Sequence, residues 1–398
     1  MLEDFGAELI INRLHCAGFE AYYVGGCVRN YLLNRAIDDY DLTTSASPEQ
    51  MCEIFSDLNC YKTGIAHGTL SIIVNDKVYE VTTFRVDGEY ADSRHPISVN
   101  YCSTIKEDLA RRDFTINAIA FNKKSGFIDD FNGIYDIDNR IIRCVGNPSR
   151  RFSEDALRIL RALRFASVYS FSIEPETSKA LLKNLHLLKN ISQERITAEI
   201  TKIILGENAL PVLSEYRSVL LAVIPHLDNI SISNTALAVL NNCPFNVELR
   251  YAALLFQCGR AADEILTLFK LSNKQKRKIN LLLSHHGYKI SDKIHVKLLL
   301  AIFEKEICDF FDFETAVAIA DNDDVRVNEI NQARGFLSEI LLNQECYSLR
   351  QLAVSGSDLL ALGFSGKEIN DKLHFLLDAV IKCRVNNDKT SLLRLLEE

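Results

Sequence analysis

The sequence predicts an α+β fold, in which an N-terminal mixed β-sheet with helices precedes an all-helical remainder. Over the first hundred or so residues, short β-rich runs alternate with helical ones. From about Ser153 onward the strand signal fades, and apolar residues recur at helical spacing, as in Lys179–Leu188 and Val296–Phe303. A chain of 398 residues is too long for one ordinary core, so we expect several packed units.

Two local patterns support the mixed N-terminal part. Thr69–Val74 and Val78–Phe84 both show the alternation of a half-buried strand, and the polar Asn75-Asp76-Lys77 between them predicts a hairpin turn. Ser47 begins a capping box with proline at the first helical position, so we expect a helix to start there.

Composition excludes several classes of protein. The chain is 47% hydrophobic and 25% charged, which is globular rather than disordered. No stretch approaches the roughly 18 apolar residues of a membrane span, and the acidic N-terminus does not resemble a signal peptide. Eleven scattered cysteines without a Cys-x-x-Cys pair favour free thiols, and hence a cytoplasmic location, over disulfides or a zinc site.

A Gly-Gly turn is the first feature that indicates chemistry. Gly25-Gly26 follows the strand-like run Ala21–Val24 and leads into a short helical run, Val28–Leu33. Glycines at such a turn let the backbone approach a phosphate closely, and the helix N-terminus offers free N–H groups. By itself the pattern is equally that of an ordinary tight turn.

A pair of aspartates follows about a dozen residues later. In a strand, residues two apart point to the same face, so the carboxylates of Asp39 and Asp41 converge. Converging carboxylates repel each other unless a divalent cation lies between them, and hard oxygen ligands suit Mg²⁺, which also takes phosphate oxygens. Such ions could activate an attacking hydroxyl and stabilise leaving pyrophosphate. The alternative is a solvated acidic turn.

Basic residues recur further along the chain. Arg111 and Arg112 could match phosphate oxygens in bidentate fashion, or form surface ion pairs with Asp108 or Asp113. Residues 140–164 contain seven Arg and two acidic residues, a local charge of +5, and residues 270–297 contain seven Lys, one Arg and one Asp, a local charge of +7. Both runs stand out against the net charge of -8 and are candidate surfaces for an RNA backbone; solvated helix faces are the alternative.

A helix rich in arginine is the candidate for base selection. Ser153 is a plausible N-cap for a helix over Glu154–Phe165, in which Asp155 and Arg158 lie about one turn apart. The two could form a salt bridge on a solvated face. They could also read base edges, because a carboxylate accepts from the amino groups of cytosine and adenine, whereas guanine and uracil present a carbonyl there. An Asp–Arg pair could therefore select CTP and ATP without a template.

The motifs together resemble the nucleotidyltransferase signature of the DNA polymerase beta superfamily. The string from Gly25 through Asp41 to Ala46 is similar to that of the bacterial (class II) tRNA nucleotidyltransferases, the CCA-adding enzymes, and their poly(A) polymerase relatives. The resemblance continues in the family's order through His67-Gly68-Thr69, Glu80–Arg85, Glu107–Ala118 and Arg151–Arg158, and more loosely through Val354–Gly366. Asn30 departs from the family, which usually has Asp there.

The resemblance implies an architecture and an activity. It implies a polymerase-beta-like catalytic head over residues 1–138, a helical neck with the nucleotide-selecting helix over 139–205, a helical body over 206–310 and a tRNA-binding helical tail over 311–398. The implied reaction adds C, C and A to the 3′ end of tRNA from CTP and ATP, without a nucleic-acid template, and releases pyrophosphate. The implied partners are tRNA, CTP and ATP, and no membrane is involved.

The resemblance also implies roles for individual residues. Asp39 and Asp41 are the expected catalytic residues and Mg²⁺ ligands, and Glu80 is a candidate third carboxylate. The expected nucleotide-binding residues are Gly26, Arg29, Arg112, Asp155, Arg158, Arg161 and Arg164.

Three alternative functions remain at this stage. A poly(A) polymerase would share every head motif, but usually carries extra basic length at its C-terminus. A partial enzyme would add only CC or only A; CC-adding relatives tend to lack a segment that is present here as Asp87–Thr104. A non-catalytic RNA-binding protein would have no need for both Asp39 and Asp41.

Overall fold

The computed structural model describes residues 2–62, 64–65, 68–87, 99–224 and 233–397. His67 and residues 88–98 of the segment Asp87–Thr104 lie outside the described residues. Among the residues described, no helix is both long enough and apolar enough to cross a membrane.

The chain divides into two compact units. The first comprises Met1–His226 and Leu268–Lys270, and the second comprises Leu227–Thr267 and Leu271–Glu398. The four-part division into head, neck, body and tail is finer than these two units and stays a prediction.

All strands of the described chain lie in the first unit. They are β1 (Ala21–Val24), β2 (Asp41–Thr44), β3 (Cys60–Tyr61), β4 (Thr69–Val74), β5 (Lys77–Thr83), β6 (Arg85–Asp87), β7 (Val99–Tyr101), β8 (Ala120–Asn122), β9 (Gly126–Ile128), β10 (Ile141–Ile142) and β11 (Ser172–Ile173). Seven of them form one sheet in the order β3-β4-β5-β2-β1-β8-β9. Within this sheet β2 and β5 run parallel and the other neighbouring pairs run antiparallel. The mixed sheet confirms the predicted fold class.

Helices surround the sheet and form the rest of the chain. In the first unit they are α1 (Phe5–Cys16), α2 (Gly26–Leu32), α3 (Pro48–Ile54), α4 (Ile105–Ala110), α5 (Gly133–Asp138), α6 (Pro148–Glu154), α7 (Leu157–Tyr169), α8 (Pro175–Lys183), α9 (Gln193–Ile204), α10 (Ala209–Glu215) and α11 (Arg217–Val223). The later helices are α12 (Asn234–Asn242), α13 (Val247–Leu255), α14 (Ala261–Leu268), α15 (Asn273–His285), α16 (Lys293–Phe303), α17 (Ile307–Ala320), α18 (Asp324–Leu342), α19 (Gly356–Ala361), α20 (Lys367–Ile381) and α21 (Lys389–Arg394).

The predicted hairpin and capping box are both present. β4 and β5 pair antiparallel, and Asn75 and Asp76 both have positive φ, 49° and 62°, as the tight turn between twisted strands requires. The Ser47 hydroxyl accepts a hydrogen bond from the backbone N–H of Gln50, whose side chain in turn accepts one from the N–H of Ser47. Local sequence therefore determines these two elements.

The interior of the sheet is centred on β1 and β2. All four residues of β1 are buried, and so are Leu42, Thr43 and Thr44 of β2. Buried apolar residues of β1 pack with Phe84 and with Leu109 of α4 in one cluster. Asp41 at the start of β2 is thus attached to the most deeply packed part of the sheet.

The predicted start of the arginine-rich helix is wrong. Asn147 caps α6, which has proline at its first position, and Ser153 lies inside this helix, where its hydroxyl donates to the carbonyl of Arg150. The helical path breaks at Asp155, whose backbone is extended (φ −141°, ψ 105°), and α7 starts at Leu157. The side chain of Asp155 accepts a hydrogen bond from the N–H of Leu157, so the same residue ends one helix and supports the start of the next.

Helices α7 and α9 pack against each other closely. The hydroxyl of Ser167 on α7 donates to the carbonyl of Ile203 on α9 at 2.7 Å. Gly206 follows α9 directly, and a Cβ at this position would press on the Ser167 hydroxyl and lie 2.7 Å from its carbonyl oxygen. The absence of a side chain at Gly206 is therefore a condition of this packing.

We predict that Gly206→Ala lowers the free energy of unfolding by about 1–3 kcal/mol, because the added methyl group meets backbone that cannot move aside cheaply. Gly335→Ala on α18 is the matched control, since nothing lies within 4 Å of its Cβ position and alanine favours the helix. Thermal unfolding of both variants is the measurement. A melting temperature for Gly206→Ala at or above that of the wild type would contradict the prediction.

Candidate active site

The Gly-Gly turn lies between β1 and α2, as predicted. Gly25 has φ +72° and ψ −124°, a conformation that residues with a side chain rarely adopt. A Cβ there would lie 3.1 Å from Nη1 of Arg112 and 3.8 Å from Oδ2 of Asp41. The turn therefore brings bare backbone next to one candidate phosphate ligand and one candidate metal ligand.

Only one of the two aspartates belongs to the strand. Asp41 opens β2 opposite Glu80 of β5, whereas Asp39 lies two residues earlier and has no partner in the sheet. The prediction that both lie on one strand is wrong for Asp39, because the chain enters the sheet only at Asp41. Both side chains nevertheless line the same cavity.

The residue between the aspartates anchors them. Tyr40 packs edge-on against Tyr23 of β1, with ring centroids 6.0 Å apart, and Nζ of Lys77 lies 4.3 Å from the centroid of its ring. Lys77 in turn forms an ion pair with Asp4 at 2.8 Å. These contacts hold the backbone on either side of Tyr40, and with it the two carboxylates.

The electrostatics of Asp41 fit a cation site. Asp41 is exposed to solvent at the start of β2, yet the protein atoms around it desolvate its carboxylate and raise its pKa. The nearby Asp39 also raises this pKa, while Arg112 and Arg29 act in the opposite direction. A divalent cation would remove this repulsion, and carboxylate oxygens are the ligands that Mg²⁺ prefers. Within the described residues no group of three His, Cys, Asp or Glu side chains is arranged to hold a metal, so Glu80 as a third ligand stays a prediction.

A cavity of about 580 Å³ contains most of the predicted site. It lies between the sheet and helices α7 and α9 of the first unit. Its lining residues are Gly25, Gly26, Arg29, Asn30, Asp38, Asp39, Asp41, Arg112, Asp113, Asn117, Arg161, Arg164, Phe165, Val168, Tyr169 and Lys202. The structure therefore brings together both aspartates, the glycine turn and four of the predicted arginines.

Buried acidic partners hold these arginines in place. Arg161 donates to Asp113, and Arg164 pairs with Glu199 of α9. Burial alone raises the pKa of Asp113, but its cationic and amide partners outweigh that effect and keep it well below the usual range. The carboxylate therefore stays charged, and its guanidinium partner is preoriented before any ligand arrives.

Arg29 is fixed by hydrogen bonds and by aromatic rings. It is 8% exposed and donates to the side-chain oxygens of Asn117 and Asn30. Its guanidinium carbon lies 4.7 Å from the ring centroid of Tyr169 and 5.1 Å from that of Phe165. Burial lowers the pKa of Arg29, and Asn30 supplies an uncharged acceptor.

Arg111 and Arg112 share one buried carboxylate. Asp108 accepts from Arg111 at 2.8 Å and from Arg112 at 3.1 Å, so the ion pair considered as an alternative is present. Arg112 nevertheless also lines the cavity, whereas Arg111 does not. Arg112 therefore both pairs with Asp108 and lines the cavity.

Asp155 and Arg158 do not line the cavity. The backbone N–H of Arg158 donates to the carbonyl of Asp155 at 3.0 Å, but no hydrogen bond or ion pair joins their side chains in the described part of the chain. Asp155 pairs with Arg195 of α9 at 2.8 Å. Arg158 pairs with Glu154 at 2.8 Å and donates to the carbonyl of Arg111. The two residues therefore lie one turn apart, as predicted, but the salt bridge between them that was the alternative is absent from the described residues, because each side chain has another ionic partner.

Comparison with known proteins places this site in a family. Residues 21–143 match the Poly A polymerase head domain, residues 170–230 a probable RNA and SrmB-binding site of polymerase A, and residues 245–396 the tRNA nucleotidyltransferase domain 2. A CCA-adding enzyme of Staphylococcus haemolyticus is 34% identical over 404 residues, which cover 98% of this chain and 97% of that one.

The chain belongs to the CCA-adding enzyme family.

Other members of the CCA-adding enzyme family are also similar to this chain. A CCA-adding enzyme of Listeria monocytogenes is 50% identical over 200 residues, so the match spans about half the length of each chain. The crystal structure of the Bacillus stearothermophilus CCA-adding enzyme in complex with CTP superposes with a TM-score of 0.79 at 32% identity, covering 98% of this chain and 96% of that one. Nucleotidyltransferases of this superfamily generally use a divalent metal ion.

Several residues of the candidate site were missed by sequence reasoning. Lys202 reaches the cavity from α9, and Asn117 links Arg29 to Asp113 through its amide. Phe165 and Tyr169 supply the rings beside Arg29. Asn117 lies within the motif Glu107–Ala118, Phe165 ends the predicted helix Glu154–Phe165 and Tyr169 follows it by one helical turn, whereas only the fold could bring in Lys202.

We predict that Asp108→Asn lowers the free energy of unfolding by about 3 kcal/mol at pH 7, because two guanidiniums lose a fully buried charged partner. Burial alone raises the pKa of Asp108, but Arg112 and Arg111 outweigh it and bring it below 3.8. Its stabilisation is therefore present above 3.8 and lost as the pH falls through the lower, folded-state pKa.

The measurement is thermal unfolding of wild type and variant from pH 7 down to about pH 2. The difference should stay constant well above 3.8 and shrink below it. Asp57→Asn removes an exposed carboxylate paired with Arg13 and serves as control, with little change expected. A difference that is independent of pH would contradict the assignment of Asp108 as a charged partner.

Proposed function

We propose that this chain adds the 3′-terminal CCA sequence to tRNA, using CTP and ATP, without a nucleic-acid template and with release of pyrophosphate. The observation that carries the proposal is one cavity that combines a paired carboxylate site, a glycine turn and preoriented arginines. The full-length similarity to a CCA-adding enzyme supports the choice of substrate.

Asp39 and Asp41 are the proposed catalytic residues and Mg²⁺ ligands. Bound Mg²⁺ would supply the positive charge that lowers the pKa of the attacking hydroxyl and neutralises the leaving pyrophosphate. Tyr40 and its contacts hold the two carboxylates in place. The RNA 3′-oxygen then forms a bond to the α-phosphorus, the bond from that phosphorus to pyrophosphate breaks, and the hydroxyl proton leaves to solvent.

The glycine turn and the arginines would hold the triphosphate. At the Gly25–Gly26 turn no side chain caps the first turn of α2, which leaves backbone N–H groups available to phosphate oxygens. Arg29 and Arg112, together with Arg161 and Arg164 of α7, line the same cavity. Because acidic or amide partners already orient these guanidiniums, little side-chain entropy is lost when a nucleotide binds.

Asp155 and Arg158 are the proposed base-selecting residues. Cytosine and adenine both present an amino donor, which a carboxylate accepts, whereas uracil and guanine present a carbonyl that would leave the carboxylate unpaired. The charge of Asp155 acts on a residue that lines the cavity. It helps to raise the pKa of Arg161, whereas burial lowers that pKa. Arg158 would have to leave Glu154 in order to meet a base.

The proposed RNA-binding surface contains fewer unpaired cations than the charge of its sequence segment suggests. Of the +7 run over residues 270–297, four lysines form ion pairs within the structure: Lys270, Lys278, Lys293 and Lys297. The cations without an ion pair among the described residues are Lys274, Lys276, Arg277 and Lys289. We propose that these four, three of which lie on α15, contact phosphates, with the tail over residues 311–398 as a further tRNA contact.

We propose the cytoplasm as the compartment of this chain. All eleven cysteines are free thiols, and three of them are exposed. Exposed thiols persist in a reducing compartment.

The decisive test incubates the purified protein with Mg²⁺ and tRNA that lacks its 3′ end, with CTP, ATP or both. We expect addition of C, C and A in that order and no extension with UTP or GTP, read from the length and sequence of the product. Extension by C alone or by A alone would indicate a partial enzyme. Long A tails on unrelated RNA would indicate a poly(A) polymerase.

We predict that Asp39→Ala reduces incorporation at least about a thousandfold, because loss of a metal ligand removes several kcal/mol of transition-state stabilisation. Folding and tRNA retention should stay nearly unchanged, as measured by thermal unfolding and by a gel-shift titration. Asp138→Ala, at an exposed end of α5 in the same unit, is the control and should stay active. Full activity of Asp39→Ala would refute the metal assignment.

A further inference from the structure

One face of α9 supports successive residues of the arginine-rich segment. Arg195, Glu199 and Lys202 are spaced by four and then three residues, which places them on the same side of the helix. Arg195 pairs with Asp155, Glu199 pairs with Arg164, and Lys202 lines the cavity. The α9 helix therefore contacts the proposed base-selecting end and the cavity end of the same segment.

The contact between Arg195 and Asp155 fixes the plane of the carboxylate. Nη2 of Arg195 lies 2.8 Å from Oδ2 of Asp155, and Nη1 lies 3.4 Å from Oδ1. Oδ1 also accepts the backbone N–H of Leu157 at 3.0 Å. Both side chains are mostly buried, with relative exposures of 25% for Arg195 and 20% for Asp155.

We infer that Arg195 is a positioning residue for base selection, acting through Asp155; the inference rests on the proposed function. Asp155 has an extended backbone conformation between α6 and α7, and its side chain is held by Arg195 and by the backbone N–H of Leu157. Two donors from Arg195 and one from Leu157 define the carboxylate plane. Oδ1 accepts two of these hydrogen bonds and Oδ2 accepts one, so Oδ2 keeps a lone pair for a further donor. An amino group of cytosine or adenine is such a donor.

Orientation decides how strongly a wrong base is rejected. A fixed carboxylate faces the carbonyl of uracil or guanine and cannot turn away. The remaining lone pair of Oδ2 then meets another acceptor instead of an amino donor, which weakens binding of the wrong base. A carboxylate that is free to rotate could turn aside and let the wrong base enter. Arg195 therefore affects the discrimination between bases more than the binding of the triphosphate.

The test compares Arg195→Met, which keeps side-chain length without charge, and Arg195→Lys, which keeps charge but loses the planar fork. Equilibrium binding of CTP, UTP, ATP and GTP to the full chain is measured together with incorporation into tRNA that lacks its 3′ end. We expect Arg195→Met to lower the preference for CTP over UTP and for ATP over GTP by about tenfold or more, with CTP affinity changed much less. Arg195→Lys should restore part of the preference.

A double-mutant comparison separates positioning from a merely structural role. In an Asp155→Ala background, Arg195→Met should change the preference no further, because its effect passes through Asp155. Arg13→Met breaks a bidentate pair with Asp57 elsewhere in the same unit and is the matched control, with unchanged preference expected. Thermal unfolding checks that the variants fold. If Arg195→Met does not fold, Arg195→Lys replaces it in the comparison.

The outcomes distinguish the inference from the proposed function. A wild-type protein with no preference for CTP and ATP would overturn the proposed function and the inference with it. A selective wild type whose Arg195 variants are equally selective would overturn the inference alone. An additional loss of preference from Arg195→Met in the Asp155→Ala background would also overturn it.

Discussion

The crowding of guanidinium groups around one cavity is the constraint on which the rest of the structure depends. Four arginines line a space of about 580 Å³, where like charges would repel without compensation. Buried carboxylates supply that compensation: Asp108 beneath Arg112, Asp113 beside Arg161 and Glu199 beside Arg164. The fold pays a desolvation cost for each buried charge, and it obtains a set of cations whose orientation no longer depends on the ligand.

Preorientation also explains the aromatic residues at this place. Arg29 cannot share Asp113 with Arg161 directly, and it is attached to that carboxylate through the amide of Asn117. Its flat faces then lie against Phe165 and Tyr169. Rings and amides hold a guanidinium without neutralising it, so Arg29 keeps its full charge, although burial lowers its pKa.

Local patterns could be predicted from the sequence, and long-range pairings could not. The hairpin of β4 and β5, the Ser47 capping box and the Gly25 turn are each determined by a few adjacent residues, and all three are present. The break at Asp155 was missed because Ser153 competes as an N-cap with Asn147-Pro148, the signal that the chain uses. Lys202 and Arg195 reach the segment from α9, and helical periodicity alone does not indicate which helix packs beside it.

The charge of a sequence window also fails to indicate long-range pairing, as the proposed RNA-binding surface illustrates. The run over residues 270–297 carries +7 in sequence, yet Lys293 and Lys297 both lie against Glu345, and Lys278 pairs with Asp309. These partners are acidic residues far along the chain, so a sequence window counts the cations and omits their neutralisation. The cations left without an ion pair among the described residues form a small group centred on α15. A small group is enough to direct a phosphate backbone, because the salt dependence of binding follows the number of phosphates contacted rather than the net charge of the protein. A chain of net charge -8 can therefore bind RNA where its own carboxylates leave cations uncovered.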